Sequence, residues 1–141
     1  MSSFLQIRPM LASDLPAARA LWAGTEGVEL AEGDSLAELA AYLQRNPGLS
    51  FVATHGNHLA GALLAGHDGR RGFLYHLAVD RDQRGAGIGT ALVDHAIAAL
   101  KSVGVVRVLI LVACDNQAGR AFWARRGWES LTFAEPMGRN L

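Results

Sequence analysis

The sequence predicts a mixed α/β fold, and three observations lead to it. Residues 105–112 form a nearly continuous β-branched apolar run, the pattern of a buried strand in a parallel pair. Before it, Ile88, Leu92, Val93, Ala96, Ile97 and Leu100 fall on one half of a helical wheel, with Thr90, Asp94 and Lys101 on the other. A third strand-like run at 73–79 precedes that helix, so residues 73–112 read as one strand–helix–strand unit.

The remaining elements follow in chain order. Residues 4–8 alternate apolar and polar, as a half-buried strand does. Ser13 and Asp14, with Pro16 just inside, open a helix carrying Leu15, Ala18, Leu21 and Trp22. Residues 24–34 read as a loop; Ser35 then caps a second helix with Leu36, Leu39, Ala40 and Leu43 at helical spacing, ended near Asn46, Pro47 and Gly48. Two apolar strands, 50–55 and 58–65, flank Gly56 and Asn57, a hairpin signal, and a turn at 67–72 leads into strand 73–79. Gly104 stops the long helix. Asp115 and Asn116 cap a last helix through Ala121, Phe122 and Trp123 to Arg126, with Gly127 as its stop. Residues 128–132 and 133–140 are expected to close the sheet as an antiparallel pair.

Composition bounds the function. The 141 residues suit a single domain, 1–141, without repeats, and at 50% hydrophobic and 18% charged the chain can bury a core. Thirteen Lys+Arg balance thirteen Asp+Glu, which removes the broad positive field of a nucleic-acid binder. A single cysteine, Cys114, excludes an intrachain disulfide framework and a Cys-pair zinc site, and no metal is expected. No apolar run reaches the roughly 18–20 residues that cross a bilayer, and the N-terminus lacks a signal pattern, so a cytoplasmic protein without a membrane partner is expected.

The informative segment runs from Leu77 to Thr90, between a strand and a well-patterned helix. Glycines at 85, 87 and 89 let backbone N–H groups converge on an anion, at the positive end of the helix dipole. Spacing separates the phosphate-binding patterns. A P-loop ends in Gly-Lys-Ser/Thr, whereas Thr90 follows Gly89 directly. The dinucleotide fingerprint needs Gly-x-Gly-x-x-Gly with an acid about 20 residues later, where this chain has Leu109, Ile110 and Leu111. The pattern that fits is Gln/Arg-x-x-Gly-x-Gly/Ala, met by Arg84, Gly85, Ala86, Gly87, Ile88 and Gly89. With the preceding Leu77, Ala78 and Val79, and with Asn116, Trp123, Gly127 and Trp128 downstream, the chain resembles the GNAT superfamily of acyl-CoA-dependent N-acetyltransferases over essentially its whole length.

The resemblance implies a central mixed sheet with a splayed parallel strand pair, flanked by about four helices. It implies acetyl-CoA as co-substrate, with its pantetheine arm along the edge of Leu77, Ala78 and Val79, where a splayed strand exposes unpaired backbone groups. The pyrophosphate would meet the amides of Arg84, Gly85, Ala86, Gly87, Ile88, Gly89 and Thr90. Asn116 matches a cofactor-contacting position and is equally well read as a helix cap; Phe122 and Trp123 lie on the helix the family sets beside the sulfur. A backbone N–H near Leu77 would polarise the thioester carbonyl. Three familiar acid–base positions of the superfamily carry Trp123, Leu111 and Phe73 instead of tyrosine or glutamate. Strict strand alternation puts Phe73, Tyr75, Leu77 and Val79 on one face and Leu74, His76 and Ala78 on the other. Arylalkylamine-type relatives carry proton-transferring histidines at the Phe73 and Tyr75 positions, so the resemblance implies Tyr75 as the proton relay, and alternation leaves His76 a packed, hydrogen-bonded core histidine. Thr25 to Asp34 holds Glu26, Glu29, Glu32 and Asp34, in the loop that helps form the acceptor pocket; Glu26 and Glu29 would draw in a cationic amine. Cys114 reads as a small buried structural residue. The expected acceptor is a primary amine of a small molecule or a protein, and the expected state a monomer or homodimer. The alternatives are a non-catalytic acyl-CoA sensor and a transferase using another acyl donor.

Overall fold

The computed structural model describes residues 4–141. They group into two compact units, one running to Leu111 and the other comprising Val112–Leu141. The first holds β1 (Leu5–Pro9), α1 (Leu15–Ala23), α2 (Leu36–Arg45), β2 (Phe51–His55), β3 (His58–His67), β4 (Gly72–Val79), α3 (Ile88–Ser102) and β5 (Val108–Ile110); the second holds α4 (Gln117–Arg125). The five strands form one sheet in the order β1-β2-β3-β4-β5. Its first three pairings are antiparallel, and β4 pairs β5 in parallel, the single crossover being made by α3.

Helices cover both faces of this sheet. On one, Leu15, Ala18 and Trp22 of α1 and Leu39 of α2 pack with Val52, Ala62, Leu64 and Ala78 in one buried cluster. On the other lie Ile88, Leu92 and Leu100 of α3. A Cβ at Gly61 would stand 3.0 Å from Leu92 Cδ1, and one at Gly72 would stand 3.2 Å from Leu100 Cδ1. Glycine at these two strand positions lets α3 close onto the sheet, its buried face supplying the hydrophobic driving force.

The ends of α1 and α2 follow local chemistry. Ser35 Oγ accepts from the Glu38 amide and the Glu38 carboxylate accepts from the Ser35 amide, a reciprocal cap. A 3-10 turn at Ala12–Asp14 leads into α1, and there the Arg8 guanidinium grips Asp14 through two bonds of 2.7 and 2.8 Å while the Leu11 amide donates at 2.8 Å. The Arg8 hydrogen bond is the main cause that holds the Asp14 carboxyl below its ordinary range, against a smaller opposing effect of burial. Because the folded value lies below the unfolded one, this stabilisation is complete above the unfolded carboxylate range and disappears as pH falls through the folded one. Asp14→Asn is therefore expected to cost about 1 kcal/mol in urea unfolding at pH 7, the solvent-screened magnitude of such a pair. The difference from wild type should vanish at acid pH.

Two sequence expectations are corrected in the C-terminal third. The run 105–112 is not one long buried strand: β5 spans only Val108–Ile110 and is half-buried, while Val106 is 94% and Leu111 70% exposed. Val105 instead closes the end of α3, its amide donating to the Leu100 carbonyl at 3.1 Å and its side chain buried. Apolar, β-branched composition alone does not create a strand where the neighbour turns away. Nor do 128–132 and 133–140 form an antiparallel pair; no strand lies beyond Ile110 among the described residues. Phe133 and Met137 are exposed, so no buried face selects a strand register there. Among the described residues, no helix is long and apolar enough to cross a membrane.

Candidate functional site

The first ingredient is an unfinished strand edge. Register between β4 and β5 covers Gly72↔Val108, Phe73↔Leu109 and Leu74↔Ile110, whereas β4 itself continues to Val79. From Tyr75 onward that side of β4 has no strand partner among the described residues, and extended backbone in that condition presents N–H and C=O groups to a ligand. One of the carbonyls, that of Val79, accepts from Arg84 Nε at 3.1 Å.

The cause of the divergence lies in β4. His76 adopts φ 57°, in the left-handed region, and the register to β3 slips between Ala62↔Ala78 and Leu64↔Tyr75, so two residues of β4 face one of β3. A non-glycine residue held there costs on the order of 1–3 kcal/mol and persists only where its surroundings hold it. The bulge overturns the strict alternation expected for 73–79. Tyr75 pairs with Leu64 and Ala78 with Ala62, both on the α1/α2 face, and the His76 ring lies on that same face, 5.3 Å from the Trp22 ring. His76 is thus not aimed away from Tyr75. Its Nε2 lies 3.1 Å from each oxygen of Asp34, in the loop between α1 and α2. Nothing in the local sequence marks the bulge, since no glycine occupies it; the run of four acids in the loop was the only hint of Asp34.

Tyr75 is partly exposed, stacks on Phe73 at 6.1 Å between centroids, and has its hydroxyl pKa raised by burial. It borders a cleft of about 180 Å³ against α2, lined also by Tyr42, Arg45, Gly66, His67 and Phe73. Burial raises the Tyr42 hydroxyl as well, with Tyr75 adding to the effect.

The second ingredient is the glycine turn. Asp80 caps a 3-10 turn at Arg81–Gln83, and His58 Nε2 at 2.7 Å is the main reason its carboxyl sits below the ordinary range. Gly85 and Gly87 then take φ 87° and 82°, and a Cβ on either would meet nothing within 4 Å. The turn faces open space with its backbone bare. The first helical bond of α3 runs from the Ala91 amide to the Gly87 carbonyl at 3.0 Å, so the Ile88 and Gly89 amides precede it at the positive end of a 15-residue helix. This local chemistry fits a diphosphate. Arg84 is engaged within the chain: its amide donates to the Arg81 carbonyl at 3.4 Å and its guanidinium to Val79.

The other sequence-selected residues fall as follows. Glu26 pairs with Arg81 at 3.1 Å, both well exposed, and Glu29 is exposed. In the second unit, Asn116 Oδ1 accepts from the Gly119 amide at 3.0 Å and so caps α4. Phe122 and Trp123 meet edge to face at 5.1 Å, Trp123 meets Trp128 likewise at 5.1 Å, and the Arg126 guanidinium lies 3.6 Å over the Phe122 ring. Cys114 is exposed rather than buried. Among the described residues no group of three or more His, Cys, Asp or Glu is arranged to hold a metal ion.

Comparison with known proteins agrees with this fold. The profile of the Acetyltransferase (GNAT) family matches residues 15–128. The chain belongs to this family of acetyltransferases. An acetyltransferase of Pectobacterium atrosepticum is 29% identical over 129 residues, 90% of this chain and 89% of its own. The ribosomal-protein-S18-alanine N-acetyltransferase from Escherichia coli superposes with a TM-score of 0.72 at 25% identity, over 88% of this chain and 77% of that one. A Mycobacterium tuberculosis protein, Rv2747, solved in complex with CoA and NLQ, does so with a TM-score of 0.69 at 26% identity, over 86% and 70%.

Proposed function

We propose that this chain transfers the acetyl group of acetyl-CoA directly to a primary amine of a small molecule or a protein. The observation that carries the reading is the continuity of the unpaired β4 edge with the bare glycine turn at the start of α3. An extended arm with amides and a diphosphate at its end matches those two surfaces in that order. Family membership and the relative solved with CoA support the same donor.

Acetyl-CoA supplies an acetyl carbon activated as a thioester. The amides of Gly85, Ala86, Gly87, Ile88, Gly89 and Thr90 hold the diphosphate, with Arg84 beside them adding positive charge. Leu77, Ala78 and Val79 pair their backbone with the pantetheine amides, and an N–H near Leu77 polarises the reacting carbonyl. Tyr75 delivers a proton to the departing sulfur; burial keeps its hydroxyl protonated well past neutral pH, as a proton donor requires. Asn116, Phe122 and Trp123 contact the co-substrate, a role carried over from the family's motif positions. The cleft between α2 and Tyr75 receives the acceptor, and Glu26 and Glu29 attract its cationic form.

The experiment is release of free thiol from acetyl-CoA in the presence of small amines, amino acids, polyamines and peptides bearing a free N-terminus or lysine. Turnover of at least one acceptor is expected. A second reading, an acyl-CoA sensor without catalysis, is favoured by Trp123, Leu111 and Phe73 at three acid–base positions. Binding of acetyl-CoA without turnover across the panel would establish it. Faster turnover with propionyl- or succinyl-CoA would reassign the donor.

A further inference from the structure

We infer that His76 and Asp34 form the proton-accepting pair of this site: Asp34 holds the imidazole through Nε2, and Nδ1 takes the proton that the acceptor amine must lose. The inference rests on the acyl-transfer reading above and extends it to a residue pair that neither the family motif nor the sequence pattern selects.

Geometry specifies the roles of the two ring nitrogens. With Nε2 3.1 Å from both Asp34 oxygens, the neutral imidazole carries its hydrogen on Nε2 and donates it to the carboxylate. Nδ1 is left with a lone pair and has no partner among the described residues. The pair is well enclosed, with side chains 17% and 13% exposed, yet it retains a path to solvent. Asp34 is itself anchored: the Ala31 amide donates to its Oδ2 at 3.0 Å, and Arg19 Nε of α1 donates to its main-chain carbonyl at 2.8 Å. Trp22 of α1 bounds the ring from the helix side, and β3 contributes Leu64 to the same buried cluster. The structure links the imidazole to the Asp34 carboxylate directly and to the Arg19 guanidinium through the Asp34 main chain, with the Tyr75 hydroxyl on the adjoining residue.

A mere clasp between loop and sheet could use asparagine or glutamine. Imidazole adds a second nitrogen that can accept a proton and pass it on. The left-handed backbone at His76 also sets the ring on the face of Tyr75, beside the first unpaired residues of β4. There a base and an acid would flank one reacting carbonyl. The balanced step is R–NH3+ + CH3CO–S–CoA → R–NH–COCH3 + HS–CoA + H+. One ammonium proton passes to Nδ1 and on to solvent, and the nitrogen lone pair forms the C–N bond. The C–S bond breaks with its electrons on sulfur, and the nitrogen's second proton reaches that sulfur by way of the Tyr75 hydroxyl.

Two measurements test the pair. Nitrogen-15 NMR of the histidine rings in the ligand-free protein, with His76 assigned through bonds from its own backbone resonances, should find the neutral ring as the Nε2–H tautomer; an Nδ1–H tautomer overturns the inference. Kinetics with acetyl-CoA and, as acceptors, tyramine, spermidine, lysine methyl ester and an alanyl peptide supply the second. His76→Asn, which tolerates a left-handed backbone, and His76→Gln should lose at least about 100-fold in kcat/KM at pH 7, with CoA affinity within about threefold of wild type by calorimetry. Asp34→Asn should lower kcat/KM at pH 7 and weaken the preference for the Nε2–H tautomer seen by NMR, because the carboxylate that accepts that hydrogen is gone. Should the His76 variants fail to fold, Asp34→Asn and the tautomer decide the matter. Wild-type rates in folded variants that bind CoA overturn the pair alone. A wild-type protein that binds no CoA removes the acyl-transfer reading and the pair with it, and one that binds CoA but acetylates none of these amines overturns the pair.

Discussion

Gly87→Val is expected to raise the Kd for CoA at least about 100-fold, a loss of about 2.8 kcal/mol in binding. Gly87 sits at φ 82° as the N-terminal cap of α3, where a β-branched side chain is a severe outlier. The backbone would rotate out of the left-handed region, and the amides that follow would no longer converge. The side chain would also project into the space in front of the turn, now open to 4 Å. Gly104→Val is the control, because Gly104 takes φ 91° at the opposite end of the same helix and its Cβ direction is equally open. It imposes comparable backbone strain and should leave the Kd within about threefold of wild type. Equal losses in both variants would mean that helix stability, not the turn, governs binding.

Tyr75→Phe is expected to lower kcat about 100-fold or more while leaving the KM for acetyl-CoA nearly unchanged, the pattern of an interaction made in the transition state alone. The pH profile carries the sign. Burial pushes the Tyr75 hydroxyl above its ordinary value, so the donor form persists through neutral pH and is lost only on the alkaline side. Wild type should therefore lose activity at strongly alkaline pH, and the phenylalanine variant, slower throughout, should lack that descending limb. Unchanged turnover across pH would end the proton-relay role and leave Tyr75 as one wall of the cleft.

The parts of this molecule set by local chemistry were legible in the sequence. The Ser35 cap, the amphipathic face of α3 and the glycines before it are each specified within a few residues. The order of elements through α3 agrees with the reading from periodicity. What was hidden depends on residues distant in sequence. The bulge at His76 arises where β3 and β4 fall out of register, and no glycine or proline signals it; one inserted residue reverses which face His76 occupies. The same bulge accompanies the early end of the β4–β5 pairing. Residues 105–112 look like one long strand because composition reports apolar character and says nothing of whether a partner strand continues alongside. The pairing of Asp34 with His76 spans 42 positions and is visible only once the α1–α2 loop is folded onto the sheet.

The most direct measurement is amide chemical-shift mapping of the nitrogen-15-labelled protein during titration with CoA. If backbone N–H groups of the turn take the diphosphate, the largest shifts fall at residues 85–90, with a second group at 77–79 along the open strand edge. Saturable binding with shifts confined to other residues, or no shift at any concentration up to millimolar, would contradict it.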